Sequence, residues 1–259
     1  MNWAHAALGV AAGFVSGVLS GLFGVGGGIV MTPAIQLLLG APPIVALATP
    51  LPAIFPTAAT GAYTYRKAGE ADLRAAMWLA VPGIAGAVAG AALTDLIRTD
   101  LLLVVTALLL AWQALGILRG GRRRDDAHPA HPPTRAAYAA IGLAAGIISG
   151  LLGIGGGLIM VPLMVGFLGV PLKRALGTSL IAIVALVVPG TIVHTALGHI
   201  DWAIFAVVTV GAVPGARLGA SLALGARERT LRLLVGSFLL VVAVVYGAIE
   251  AHRLLATVT

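Results

Sequence analysis

The amino-acid sequence predicts an all-α polytopic membrane protein of two inverted repeats, each holding a Gly-rich broken or re-entrant helix pair plus three further helices. Composition is the first reason. Hydrophobic residues make up 59% of the 259 residues and charged residues 10%, a balance foreign to soluble globular domains. Several apolar runs reach the ~20 residues that a spanning helix needs, whereas barrel strands would alternate apolar and polar residues. The second reason is a duplication. Ser20-Gly-Leu-Phe-Gly-Val-Gly-Gly-Gly-Ile-Val-Met-Thr-Pro33 returns as Ser149-Gly-Leu-Leu-Gly-Ile-Gly-Gly-Gly-Leu-Ile-Met-Val-Pro162, identical at 9 of 14 positions with an offset of 129. The offset then carries Thr49 onto Thr178, Gly61 onto Gly190, Asp72 onto Asp201 and Gly90 onto Gly219 without a gap.

Charge is the third reason, and it sets orientation. If each half crossed the membrane an even number of times, the copies would be parallel, with 9 Lys/Arg on the side of the arginine-rich linker and 6 opposite. An odd number inverts the second copy and moves Lys173, Arg174, Arg227, Arg229 and Arg232 to the linker side. The count becomes 13 against 2, with Arg217 left in the membrane, which satisfies the positive-inside rule.

The elements follow in order. Apolar segments run over 4–22, 28–40, 44–65, 73–95 and 101–118 in a first membrane repeat, 1–118. They recur over 136–151, 158–169, 176–197, 202–224 and 232–250 in a second, 136–259. Residues 1–20 contain no Lys or Arg, which argues for a retained span and against a cleaved signal peptide. Gly13, Gly17 and Gly21, with Gly142, Gly146 and Gly150, have the four-residue spacing of close helix packing. The second segment of each half is too short, at 1.5 Å rise per residue, to cross ~30 Å of hydrocarbon. Pro50, Pro52 and Pro56 kink or break the third segment of the first half, and Pro189 is the one proline of its counterpart. Residues 119–135, with three consecutive arginines and a His-Pro-Ala-His-Pro-Pro run, form a cytoplasmic linker. His128 and His131 belong to that solvated loop.

Two polyglycine breaks carry the strongest chemical signal: Gly24, Gly26, Gly27 and Gly28, and Gly153, Gly155, Gly156 and Gly157. Four glycines in five positions disfavour a continuous helix and expose backbone amides at the start of the next one, an arrangement that binds anions. Unwound backbone deep in a membrane must line a cavity or be buried in protein. A positive φ or a close approach is expected at Gly27 and Gly156. Thr49, Thr178 and Ser179 place hydroxyls at the start of the third segments, as oxyanion donors or as side chains bonding back to their own helix. Arg217 is the one cation well inside an apolar segment, either marking an anion site or snorkelling toward the cytoplasmic face. His194 is a candidate for proton coupling or an interfacial histidine beside His199. All nine acidic residues fall in loops or near segment ends, which disfavours a carboxylate proton relay.

The duplicated Gly-Leu-Phe-Gly-Val-Gly-Gly-Gly and Gly-Leu-Leu-Gly-Ile-Gly-Gly-Gly, with Pro33 and Pro162 behind them and Ala48-Thr49-Pro50 and Gly177-Thr178-Ser179 beyond, resemble the TauE/SafE family of sulfite exporters. The resemblance covers nearly the whole chain and implies a transporter of sulfite, sulfonates or related small organosulfur anions in the inner membrane. The first half departs from the second at Pro50, where Ser179 stands in the repeat.

Other classes fit less well. There is no Walker motif, and no Ser-His-Asp, Asp/Asp or His-x-x-x-His arrangement lies on the apolar segments, so nucleotide hydrolysis and intramembrane enzyme chemistry are disfavoured. The sequence has zero cysteines, hence no disulfide or thiolate chemistry, and it implies no metal and no cofactor. Its net charge of +7 sits in short loops and reads as topology, with no nucleic-acid partner. The expected partners are a small sulfur oxyanion and the lipid bilayer. An anion channel and a membrane subunit of unrelated function are the alternatives to a secondary transporter.

Overall fold

A computed structural model describes residues 3–93, 108, 111, 112, 114–116, 118, 134–152 and 156–258. Most of the fifth segment of the first half, His128 and His131 of the linker, and Gly153 and Gly155 lie outside the described residues. The described elements are helices: α1 (Trp3–Phe23), α2 (Gly28–Leu38), α3 (Pro43–Ala48), α4 (Pro50–Lys67), α5 (Leu73–Leu93), α6 (Arg135–Leu152), α7 (Gly157–Leu168), α8 (Leu172–Ala196), α9 (Trp202–Gly225) and α10 (Glu228–Val258). Among the described residues five stretches are long and apolar enough to span a membrane: His5–Phe23, Ile44–Lys67, Leu73–Gly90, Leu172–Ala196 and Trp202–Gly225. The protein is a multi-pass membrane protein. Leu37, Val81, Phe167 and Val210 are each at least 60% exposed, which suits side chains that face lipid.

The offset of 129 maps α1 onto α6, α2 onto α7, α3 with α4 onto α8, and α5 onto α9. The correspondence differs in one detail. Pro50 withholds a backbone donor where α3 adjoins α4, although Thr49 keeps helical angles of φ −61° and ψ −32°, while the matching position in α8 is Ser179. The second-half segment expected to begin at 176 starts at Leu172, directly after Pro171, whose fixed φ suits a helix entry.

Packing joins the halves crosswise. α1 lies along α9, and α5 along α6. Gly13, Gly17 and Gly21 abut the carbonyls of Val208, Ala212 and Ala216, while Gly211, Gly215 and Gly219 abut those of Val10, Phe14 and Val18. Numbers rise together along both helices, so the pair is parallel, in contact backbone to backbone, as small residues at four-residue spacing allow. Gly142 and Gly146 repeat the arrangement against Leu79 and Gly83 of α5. The equivalent third segments cross in opposite senses, because Gly177 meets Tyr65, Gly61 meets Leu180 and Gly190 meets Leu51. Around that crossing lies the main core, with Ile54, Ala58, Tyr65, Leu176, Leu180 and Ile183 buried. α7 is buried on nearly all sides from Leu158 to Val161, whereas α2 buries only Gly28, Met31 and Ile35.

Candidate functional site at the glycine breaks

Gly24, Gly26 and Gly27 have φ values of 68°, 81° and 85°, which only glycine adopts without cost, and they turn the chain from α1 into α2. The first bonds of α2 run from the Val30 and Met31 N–H groups to the Gly27 carbonyl. The amides of Gly28 and Ile29 come before those bonds and have no acceptor within the helix. α7 starts in the same way, with Ile159 and Met160 donating to the Gly156 carbonyl, so Gly157 and Leu158 hold the corresponding amides. Gly24 to Gly28 and Gly156 to Leu158 are buried.

The two breaks touch. A Cβ at Gly157 would strike the Gly24 carbonyl and lie 3.0 Å from Val25 Cα. Ile54 and Ile183, equivalent under the repeat offset, flank the contact. A Cβ at Gly26 would lie 3.0 Å from Ile183 Cγ2 and 3.2 Å from Ile54 Cγ2. Of the positive φ or close approach expected at Gly156, the φ is an ordinary right-handed −55°, and the close approach is to side chains, with a Cβ there 3.0 Å from Leu186 Cδ2 and 3.2 Å from Met160 Cε. The close backbone approach in the second break falls one residue later, at Gly157, where α7 packs against the Gly24 carbonyl.

Serine hydroxyls hold the first break. Ser16 Oγ donates to the Gly27 carbonyl at 2.7 Å, and Ser179 Oγ lies 2.9 Å from the Gly24 carbonyl and 2.8 Å from that of Leu176. Ser20 packs against Gly27, with its Cβ 3.3 Å from where a Cβ there would stand. It is fully buried, and its hydroxyl has no partner among the described residues. Sequence reasoning missed Ser16 and Ser20. Ser16 has Ala145 as its counterpart, so duplication gave no signal, whereas Ser20 recurs as Ser149 inside the motif and was open to detection.

The paired threonines serve a different place. Thr49 Oγ1 accepts from the Asp201 N–H at 3.1 Å, and Thr178 Oγ1 accepts from the Asp72 N–H at 3.0 Å. Each aspartate caps the helix that follows: Asp201 Oδ1 accepts from Ala203 and Ile204 N–H, and Asp72 Oδ1 from Arg74 and Ala75 N–H. The threonine of one repeat therefore supports the N-cap of the other, in both directions. Such caps are worth about 1 kcal/mol. Thr49 and Thr178 are both buried.

Arg217 and His194 are not brought to the breaks. Arg217 is exposed on α9 and lines a separate groove against α4 with Lys67, Thr60, Tyr63, Thr64 and Ser221. His194, near the end of α8, places Nδ1 3.1 Å from Nδ1 of His199. Gly26, Gly27, Gly28, Gly156, Gly157 and Ser179 thus form one buried constellation, Thr49 and Thr178 instead support the N-caps at Asp201 and Asp72, and Gly155 lies outside the described residues.

Comparison with known proteins agrees with this architecture. The family described as "Sulfite exporter TauE/SafE" matches residues 9–246. The chain is similar to the probable membrane transporter protein YunE of Bacillus subtilis (strain 168), 28% identical over 258 residues covering 90% of this chain and 94% of the relative. It is also similar to YdhB of the same organism, another probable membrane transporter protein, at 30% identity over 80% of this chain and 86% of that one. A probable membrane transporter protein of Xylella fastidiosa (strain 9a5c) is 29% identical over 91% of this chain and 92% of its own. No solved structure matches. A match over both repeats, glycine breaks included, places the chain in the TauE/SafE family, whose relatives are described as membrane transporters.

Proposed function

We propose that the protein is a secondary transporter that moves a small sulfur oxyanion or organosulfonate across the cytoplasmic membrane, through a site where the glycine breaks of two inverted repeats meet. The observation that carries this reading is the contact of Gly157 with Gly24 and Val25, which brings to one buried place two helix N-termini whose first amides have no acceptor within their own helices. Backbone donors buried in a membrane need a partner, and an anion is the natural one. The orphan Ser20 hydroxyl beside Gly27 adds a donor. Opposed crossing of α4 and α8 supports inversion, as does the charge count. The family description supports sulfite or a related anion as substrate.

Reconstituted protein should accumulate labelled sulfite or a sulfonate such as taurine against its gradient when a proton or cation gradient is imposed. Passive flux alone would make it a channel, and no flux of any sulfur oxyanion would sink the substrate reading. The natural absence of cysteine makes the topology easy to test. Single cysteines at Ala68 and Ala226 should be labelled from the cytoplasm only and one at Gly198 from outside only, whereas opposite faces for the first two would restore parallel repeats.

A further inference from the structure

The groove holding Arg217 has an equivalent in the other repeat, and the two differ completely. Its volume is about 770 Å³, and its polar lining is Thr60, Tyr63, Thr64, Lys67, Arg217 and Ser221. At the positions related by the offset stand Pro189, Ile192, Val193, Ala196, Val88 and Ala92. Not one is polar. Ile192, Val193 and Val88 are 63%, 53% and 59% exposed, so the equivalent surface is an apolar face of the kind that meets acyl chains. The polar groove occupies the matching position and carries two cations, and among the described residues neither Lys67 nor Arg217 has an ion-pair partner.

Position along the helices says which part of a bilayer the groove meets. Lys67 is the last residue of α4, and Arg217 stands eight residues before the end of α9 at Gly225, about 12 Å along the axis. Both helix ends lie at one face. Lys173 Nζ donates to the Leu224 carbonyl at 2.6 Å, and its neighbour Arg174 pairs with Asp72 at 3.0 Å, just beyond the end of α4. The groove also turns away from the glycine breaks. On α4 the break and core face is Ile54, Ala58, Gly61 and Tyr65, while Thr60, Tyr63, Thr64 and Lys67 lie on the opposite side. The cations therefore sit at headgroup depth on an outward surface.

We propose that this groove binds the phosphate headgroup of an anionic phospholipid in the leaflet on the linker side. Lys67 and Arg217 neutralise the phosphate, and Tyr63 and Ser221 supply hydroxyl donors. The hydroxyls of Thr60 and Thr64 donate to the Pro56 and Thr60 carbonyls, which leaves their oxygens as acceptors for a hydroxylated headgroup such as glycerol. The assignment of leaflet rests on the inverted topology proposed above. Binding itself does not, and it is read without any transport.

Native mass spectrometry of the purified full-length chain, titrated with phosphatidylglycerol and phosphatidylcholine, tests the proposal. Wild type should retain phosphatidylglycerol preferentially. Arg217→Val, which installs the type of residue found at the equivalent place, and Lys67→Ala should each weaken retention roughly five-fold, with the double variant losing the preference. Arg217→Lys should restore most of it, and a wild-type gel-filtration profile and melting temperature in phosphatidylcholine verify folding. Equal retention of the two lipids by wild type, or an unchanged preference in the double variant, overturns the proposal. Displacement of phosphatidylglycerol by millimolar free phosphate or sulfite would also overturn it, by making the groove a soluble-anion subsite. Gly27→Ala should leave lipid retention intact, so failure of the transport reading and failure of this one are told apart.

Discussion

The two glycine breaks share their sequence but not their support. In the first, Ser16 and Ser179 reach in from α1 and α8 to hold the Gly27 and Gly24 carbonyls. In the second, the equivalent positions are Ala145 and Pro50, neither of which has a hydroxyl. Gly27 of the first break has φ 85°, whereas its counterpart in the second, Gly156, is right-handed at −55°. Divergence between the repeats has thus fallen on the residues that hold the motif, while the motif persisted.

The largest test of this difference is alanine substitution in each break. Gly27→Ala forces an L-residue to φ 85° with its Cβ 3.2 Å from the Ser16 carbonyl oxygen, at a conformational cost of roughly 1–2 kcal/mol. Gly157→Ala drives a methyl into the Gly24 carbonyl. Both should nearly abolish sulfur-oxyanion uptake in proteoliposomes while the protein still inserts. Gly156→Ala should be much milder, because its φ suits alanine and the tight contacts of the Cβ are with the ends of Leu186 and Met160, at 3.0 and 3.2 Å, while the Ala145 carbonyl oxygen lies at an ordinary 3.6 Å. Equal loss from Gly27→Ala and Gly156→Ala would erase the asymmetry.

A smaller effect is expected from the serines. Ser16→Ala removes the side-chain donor to the Gly27 carbonyl, which still accepts from the Val30 and Met31 N–H groups, and should lower stability by about 0.5–1.5 kcal/mol, read as a drop in melting temperature in detergent. The reciprocal Ala145→Ser should bring no comparable gain, since Gly156, the counterpart of Gly27, is right-handed and does not present its carbonyl in the same way. A stabilised Ala145→Ser protein would mean that the second break can adopt the geometry of the first.

The smallest effects should be the most symmetric. Thr49→Val and Thr178→Val each remove one acceptor from an N-cap amide, so each should cost about 1 kcal/mol. Melting temperatures of the two variants should agree closely. A gap as large as the full effect of one of them would show that the crosswise caps are not equivalent.

Much of the fold was legible because its causes are local or periodic. Apolar length placed most of the described segments within a few residues, although the last helix runs to Val258 and not 250; the glycine spacing identified Gly13 and Gly142 as packing positions, and both touch backbone carbonyls of α9 and α5. The threonines were legible as repeated positions, but their role was not, since a hydroxyl that accepts from an amide 152 residues away in the chain leaves no local trace. Arg217 illustrates the same limit. Its depth in an apolar run was visible, but its direction depends on which face of α9 meets α1. That face is fixed by Gly211, Gly215 and Gly219, and residue 217 points about 160–200° away from the nearer two at 100° per residue.

Sequence alone determined that this chain lives in a membrane, that it is duplicated, and that each copy breaks at a glycine run. Burial of apolar length and the conformational range of glycine act within a few residues and are written into the chain. The tertiary structure decided which glycines make the close contact, which hydroxyls are committed to carbonyls and amides, and that Arg217 and Lys67 share a groove away from the breaks. Those outcomes depend on the crosswise packing of α1 on α9, α5 on α6 and α4 on α8, because only packing brings together groups that the chain separates.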